Sequence, residues 1–215
     1  MSDAVTTIVN CGKDGVSFVF GDLADTSKGF IFCVATLANI IFVSALVECL
    51  YYTGILGFTI KCLGKAVKKL VGSTEVESFI ATANMFLGQT ASPVLISKYI
   101  SRMTDSEVLV ILVAGMGSMD VAVLTAYASM GIPMSYLLMA SVLVPVGSVM
   151  LAKIILPEVE AVDGVANLEI DGKGENHNII EALINGANVG LKVVVGISVS
   201  LVAVIGMVAL INLFL

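Results

Sequence analysis

The chain has 215 residues, of which 58% are hydrophobic and 13% are charged, and its mean hydropathy of +1.02 excludes an ordinary soluble domain. The formal net charge of −6 argues against a nucleic-acid partner, because such proteins carry a basic surface. The sequence contains no nucleophile elbow, metal-binding histidine pair or phosphate-binding glycine loop, so an enzyme is the disfavoured class. We therefore predict an all-α, polytopic protein of the cell membrane with about four spanning helices.

Residues 1–72 divide into three predicted elements. Residues 1–28 are polar and of mixed charge and form an interfacial segment, and residues 29–58 form a spanning helix. Residues 59–72 are predicted to be an amphipathic helix at the membrane interface, because lysines and apolar side chains fall on opposite faces. The lysine face consists of Lys61, Lys65, Lys68 and Lys69, and the apolar face consists of Ile60, Leu63, Val67 and Leu70.

Residues 74–102 are apolar but contain a polar interruption at their centre, which predicts a re-entrant helical hairpin. Gly88 suits the end of one helix, and Ser92 followed by Pro93 suits the start of another. Each half then provides roughly 15 Å of helix, about half of a ~30 Å hydrocarbon core. A single spanning helix with a Gly/Pro kink is the alternative.

Residues 104–156 are predicted to form two spanning helices. An acidic loop follows at 157–178, and residues 179–215 provide an amphipathic start and a final spanning helix. Within the first of these helices, the small residues at 114–118 favour close helix packing. Local unwinding that presents carbonyl groups to an ion is the alternative.

Two predicted helices open with the spacing of a capping box, in which a hydroxyl and a carboxylate three residues apart each accept a backbone N–H. Thr74 and Glu77 mark the start of the hairpin, and Thr104 and Glu107 mark the start of the helix after it. Both helix starts are therefore predicted at these positions.

Polar side chains inside the apolar runs are the candidates for chemistry. Asn84 precedes the hairpin tip, and Gln89 and Thr90 form the tip, where an amide and a hydroxyl can bind a polar solute. Hydrogen bonding between helices is the alternative role for Asn84. Asp120 is a carboxylate that could carry a proton or help to hold a metal ion, unless it pairs with a lysine or faces a polar cavity. Glu48 is the weaker candidate, because it lies near the predicted membrane boundary.

The cationic residues cluster on one side of the predicted topology. The lysine face, Lys98, Arg102 and Lys153 all fall on the side where the hairpin opens, whereas the turn at residues 130–133 is neutral. The positive-inside rule then predicts that the hairpin opens toward the cytoplasm.

Several short motifs are similar to those of the concentrative nucleoside transporter family, and the similarity covers nearly the whole chain. The matching residues are Glu77-Ser78-Phe79, Ala83-Asn84, Gly88-Gln89-Thr90, Pro93, Met103-Thr104, Tyr127, Ser129-Met130-Gly131, Ala140-Ser141, Ala152-Lys153 and Pro157-Glu158. The resemblance implies an elevator-type transporter, usually a homotrimer in the lipid membrane, that couples nucleoside uptake to Na⁺ or H⁺.

The resemblance also implies roles for individual residues. The nucleobase would contact Gln89 and Thr90, with Val123 lining the pocket and Ala91 standing where the family usually has Glu. The implied sodium ligands are the Asn84 side chain, the Ser118 hydroxyl and the carbonyls of Leu87, Ser118 and Met119. Asp120 replaces a small residue beside them and is a possible further ligand. No cofactor other than the coupling ion is implied.

The chain resembles only the first half of a transporter of this family. The second hairpin and the helices after it, which supply the ribose-binding residues, have no counterpart in the sequence, and neither do the family's first helices. We therefore expect a second half, as a separate chain or as the rest of a longer parent. The alternative function is a gate-like membrane module that binds partner proteins without transporting a solute.

Overall fold

The computed structural model describes residues 2–27, 29–95, 100, 103–159 and 176–214, without the side chains of residues 2–6, 8, 9 and 89–95. All regular elements within these ranges are helical. The α-helices are α1 (Ser2–Phe20), α2 (Ala38–Tyr52), α3 (Ile55–Val71), α4 (Glu75–Leu95), α5 (Asp105–Gly117), α6 (Val121–Ser129), α7 (Met134–Ile155) and α8 (Ile179–Phe214). A 3-10 turn, Gly21–Ala24, follows α1, and a π-helical turn, Cys33–Leu37, leads into α2.

Four helical segments in the described part of the chain are long and apolar enough to cross a membrane. They are Cys33–Tyr52, Asp105–Ser129, Met134–Ile155 and Ile179–Phe214. The second of these segments contains both α5 and α6. The prediction of an all-α membrane protein with about four spanning helices is confirmed.

Helix α3, which was predicted as an amphipathic helix at the membrane interface, is longer than expected, and its apolar side chains are not all on one face of equal burial. It begins at Ile55 rather than at residue 59, because Gly54, with φ of +79°, ends the preceding helix in a turn. Ile60 and Val67 are buried against the rest of the protein, whereas Leu70 is 76% exposed. The predicted apolar face is therefore divided between a buried face and an exposed one.

Helix α4 is interrupted where the sequence predicted it. Gly88 has φ of +71° and ψ of 177°, a combination essentially restricted to glycine, and it is the only non-helical residue within the helix. The second half is helical directly after Gly88, so the prediction of a helix start at Ser92 is wrong. The interruption at Gly88 fits both the predicted re-entrant hairpin and the alternative of a kinked helix, and the predicted exit of the hairpin at residues 96–99 lies outside the described residues.

A second interruption separates α5 from α6. Helix α5 ends at Gly117, and Ser118 and Asp120 have extended backbone conformations. Residues 114–117 remain helical and Ala114 and Gly115 are buried, so the favoured close packing is present there, whereas the local unwinding of the alternative begins at Ser118. That this unwinding presents carbonyl groups to an ion stays a prediction. The π-helical turn before α2 is a third irregularity, and it was not predicted.

Both predicted capping boxes are present. The Thr74 hydroxyl accepts a hydrogen bond from the Glu77 N–H at 3.2 Å, and the Glu77 carboxylate accepts one from the Thr74 N–H at 2.9 Å. Thr104 and Glu107 make the same reciprocal pair at 3.2 and 3.3 Å. These caps fix where α4 and α5 begin.

The buried apolar side chains form clusters that group the helices. One cluster joins α2, α6 and α8, and another joins α3 to the first half of α4. A third lies between α4, α5 and α7 and consists of Ala81, Val110, Ala114, Val149 and Ala152, all of which are fully buried. We call this third group the apolar layer.

Candidate functional site

The two helix interruptions lie directly against each other. A Cβ atom built on Gly88 would lie 3.1 Å from the Cβ of Asp120 and 3.6 Å from its Cγ, closer than side chains normally approach. The backbone conformation of Gly88 also disfavours any other residue. Both the space and the backbone therefore require glycine where α4 meets the interruption after α5.

Two buried polar side chains near this contact have no hydrogen-bond partner among the described residues. Asn84, one turn before Gly88, is fully buried, and neither its amide nitrogen nor its amide oxygen is paired. The Ser118 hydroxyl, at the other interruption, is also buried and unpaired. Most buried polar groups in proteins are satisfied, so these two atoms are candidates to bind a ligand, although the buried Ser44 hydroxyl on α2 is unpaired as well.

Asp120 caps α6 and also faces the interruption of α4. One carboxylate oxygen accepts a hydrogen bond from the Ala122 N–H at 2.9 Å. The other lies 3.6 Å from the Cβ position of Gly88. No ion pair between Asp120 and a lysine occurs within the described ranges. This carboxylate is therefore placed where it can add negative charge to the contact between the two interruptions.

The predicted ion ligands lie next to the two interruptions along the chain. Leu87 is buried and directly precedes Gly88, and Met119 lies between Ser118 and Asp120. The described residues hold no cluster of three or more His, Cys, Asp or Glu side chains suited to a metal ion. The donors near the interruptions are instead amide, hydroxyl and main-chain carbonyl oxygens, which suit a hard cation such as sodium.

The predicted nucleoside contacts are only partly described. Gln89, Thr90 and Ala91 lie in the helical part of α4 directly after Gly88, and their side chains are outside the described residues. Val123 is partly buried in the first turn of α6. The Met119 side chain lines a cavity of about 390 Å³ between α6 and α7, which the sequence did not predict.

A group of polar residues that the sequence analysis did not combine lies at the other end of α4 and α5. We call it the base cluster, and it contains Thr74, Glu77, Thr104, Ser106, Glu107, Lys153 and Glu158. The Thr74 hydroxyl donates to Glu107 at 3.0 Å, which joins the two capping boxes. The available signal was the repetition of the capping-box pattern 30 residues apart.

Glu48, the weaker carboxylate candidate, has a structural role. It accepts a hydrogen bond at 2.9 Å from the Asn176 amide, and Asn176 in turn accepts one at 2.7 Å from Asn185. Tyr52 donates to the His177 carbonyl at 3.1 Å. These contacts tie the end of α2 to the start of α8, far from the two interruptions in sequence.

Comparison with known proteins gives two family matches that together cover most of the chain. A family described as Gate, nucleoside recognition, matches residues 33–134. A family described as the C-terminus of Na⁺-dependent nucleoside transporters matches residues 136–215. The two matches follow one another along the chain and are separated by a single residue.

Individual relatives give the same result over nearly the full chain. It is 38% identical to the nucleoside permease NupC of Helicobacter pylori and 39% identical to an uncharacterized transporter of Haemophilus influenzae, covering 99% and 98% of the chain. A solved structure of CNTnw in an inward-facing, substrate-bound state matches 98% of the chain with 33% identity and a TM-score of 0.91. The chain spans about half the length of these relatives, namely 51%, 51% and 52%.

Proposed function

The chain belongs to the concentrative nucleoside transporter family, and from this premise we propose that it forms half of a membrane transporter that couples nucleoside uptake to a cation gradient. The observation that carries the proposal is the pair of orphaned polar groups, Asn84 and Ser118, beside two helix interruptions in contact. Interrupted helices in transporters commonly hold the substrate and the coupling ion, because their free backbone groups can coordinate a ligand.

The coupling ion, which we propose to be Na⁺, is bound by oxygen atoms from both interruptions. Its ligands are the Asn84 side chain, the Ser118 hydroxyl and the main-chain carbonyls of Leu87, Ser118 and Met119. The burial of Asn84 supports this proposal, because an amide without a partner is unfavourable unless a ligand binds it. Asp120 adds a negative charge close to this site.

The nucleoside is held by the residues that follow Gly88. We propose that Gln89 and Thr90 contact the nucleobase and that Val123 lines its pocket. Ala91 belongs to the same site and stands where the family usually has Glu. The remaining contacts come from the other half of the transporter, which is a second chain or the rest of a longer parent. A homotrimer, and a hairpin that opens toward the cytoplasm, remain predictions.

Cation coupling is tested by uptake into proteoliposomes that contain the complete transporter. The Asn84→Ala variant is expected to raise the half-saturating sodium concentration by about tenfold or more, since it removes a side-chain ligand of the ion. Thr82→Ala is the matched control, because Thr82 is equally buried on the same half-helix but donates to the Ser78 carbonyl at 2.7 Å. Equal sodium dependence in the two variants would contradict the proposed ion site.

The nucleoside contacts are tested by thiol labelling of single cysteines placed at Gln89 and Thr90. Bound nucleoside is expected to slow labelling at both positions, because the solute covers them. A cysteine at Met130, which is exposed directly after α6, provides the control that nucleoside leaves unchanged. Labelling at positions 89 and 90 that does not respond to nucleoside would exclude contact at this tip.

The gate-like module without transport is not favoured. The match described as nucleoside recognition covers only residues 33–134, whereas permeases and transporters match the chain almost from end to end. Nucleoside uptake by the complete protein separates the two functions directly.

A further inference from the structure

We propose that Lys153 is a positioning residue for the cation site, and that it acts through the axial alignment of α4 with α5. The proposal rests on the function proposed above. Lys153 lies near the end of α7 and does not touch either interruption through any contact described here. Its effect on the site is therefore indirect and depends on the helices that it holds together.

Lys153 connects the starts of two helices. Its ammonium nitrogen lies 2.5 Å from a Glu77 carboxylate oxygen on α4 and donates a hydrogen bond at 2.9 Å to the Ser106 hydroxyl on α5. It also donates to Glu158, just after α7, at 3.3 Å. The Glu77 side chain is fully buried and that of Lys153 is only 23% exposed, so water cannot readily replace these contacts.

The base cluster also joins α4 to α5 directly. The Thr74 hydroxyl donates to Glu107, so each capping box is bonded to the other. The Thr104 hydroxyl donates at 2.8 Å to Glu158, which is itself paired with Lys153. Lys153 pairs with Glu77 and Glu158, and its removal leaves the buried Glu77 charge without its counter-ion.

Helical periodicity connects the base cluster to the cation site. Asn84 lies seven residues after Glu77 and Ser118 lies eleven residues after Glu107, which are about two and three turns of helix. Asn84 therefore shares one face of α4 with Glu77, and Ser118, which directly follows the last residue of α5, continues the face of Glu107. The alignment of Glu77 with Glu107 at the base thus determines the alignment of Asn84 with Ser118 at the site.

The apolar layer transmits this alignment. It lies between the base cluster and the interruptions, and its five side chains from α4, α5 and α7 have no exposed surface. Close-packed side chains of this kind do not slide gradually past one another, because interiors have few voids. An axial shift at the base is therefore carried to the next turns, where Asn84 and Ser118 lie.

The test compares variants of Lys153 in the complete transporter. Lys153→Met is expected to raise the half-saturating sodium concentration for uptake by about fivefold or more, while the nucleoside KM at saturating sodium stays within about twofold. Lys153→Arg keeps the positive charge and is expected to restore most of the sodium affinity. Lys68→Met is the matched control, because Lys68 pairs with Glu75 at 3.4 Å on the exposed surface.

A double variant separates positioning from folding. Glu77→Gln combined with Lys153→Met removes both charges of the buried pair, so position 77 no longer carries a buried charge without a counter-ion, and the protein is expected to fold yet keep the raised sodium requirement. Sodium dependence equal to that of the unmodified protein in this double variant would overturn the proposal. Failure of both charge-removing variants to fold would also overturn it, because Lys153 would then be required for folding alone.

Hydrogen exchange distinguishes this proposal from the proposed function. Peptides covering residues 75–87 and 105–117 are expected to exchange faster in Lys153→Met than in Lys68→Met, because the two helix starts are released. If the unmodified transporter takes up nucleoside independently of sodium but these peptides still exchange faster in Lys153→Met, the proposed ion coupling is wrong. The role of Lys153 in aligning α4 with α5 would then still stand. Unchanged exchange would overturn the positioning role itself.

Discussion

Two regions of the molecule use glycine for opposite purposes. In the pair formed by α2 and α8, Gly186 and Gly190 lie in a continuous helix, and the Cβ atoms they lack would come within 2.7–2.8 Å of the α2 backbone. In α4, Gly88 instead interrupts the helix with a backbone that other residues rarely adopt. The first use brings two helices together, and the second interrupts a helix beside the buried, unpaired Asn84 side chain.

The polar groups at the boundary end of α2 and α8 differ in the same way from those beside the interruptions. At this end, Glu48, Asn176 and Asn185 form a connected set of hydrogen bonds, although the Ser44 hydroxyl, which lies against Gly190, is buried and unpaired. Beside the interruptions, Asn84 and Ser118 are buried without partners. Satisfied groups contribute to stability, whereas unsatisfied ones cost stability and are retained where they bind something. We therefore expect substitutions to damage folding in the first region and transport in the second.

The largest effect is expected for Gly186→Ala. The new methyl group would lie 2.7 Å from the Ser44 carbonyl oxygen and 2.8 Å from the Ala45 Cα, and backbone atoms cannot rotate away from it. Overpacking of a close interface costs about 1–3 kcal/mol or more, so a lower thermal unfolding temperature and a lower yield of folded protein are expected. Thermal unfolding in detergent measures this loss.

Gly196→Ala is the matched control for this prediction. Gly196 lies in the same helix, but nothing lies within 4 Å of the Cβ position that the substitution adds. Because alanine favours helices more than glycine does, this variant is expected to be neutral or slightly more stable. Equal stability of the two variants would show that α2 and α8 do not require close approach.

A comparable effect on folding, with a larger effect on transport, is expected for Gly88→Ala. The strained backbone costs about 1–3 kcal/mol, and the methyl group displaces the Asp120 side chain 3.1 Å away. Uptake is expected to fall by about tenfold or more while most of the protein still folds. Gly131→Ala has comparable strain, with φ of +98°, but no neighbour within 4 Å, so it should retain uptake.

The sequence predicted those features that depend on local chemistry. The position of the α4 interruption followed from Gly88, and both helix starts followed from the capping boxes. These signals are short in sequence and depend little on the rest of the fold. The number of spanning helices followed from length and apolarity alone.

The features that depend on tertiary contacts were not predictable in this way. The sequence favoured close helix packing over the unwinding that follows Gly117, because a run of small residues is typical of packed helices. The contact of Asp120 with Gly88 joins residues 32 positions apart, and no local sequence pattern predicts it. The pairing of Lys153 with Glu77 depends in the same way on how α7 packs against α4.

The smallest effect on stability, and the sharpest test of the site, is expected for Asp120→Asn. Asparagine caps helices about as well as aspartate, so its side-chain oxygen can still accept the Ala122 N–H and the unfolding free energy should change by less than about 1 kcal/mol. The change removes only the negative charge beside Gly88. Because a nearby carboxylate attracts a cation, the half-saturating sodium concentration is expected to rise by about three- to tenfold.

Asp105→Asn makes the same charge change at an exposed helix start, away from the interruptions, and is expected to leave the sodium dependence of uptake unaltered. Nucleoside uptake measured against sodium concentration and against pH separates the roles of the two carboxylates. If Asp120→Asn and Asp105→Asn show the same dependence on sodium and pH, then Asp120 only caps α6. If only Asp120→Asn changes it, the region with the interrupted helices carries the coupling charge, whereas the continuous pair of α2 and α8 carries stability.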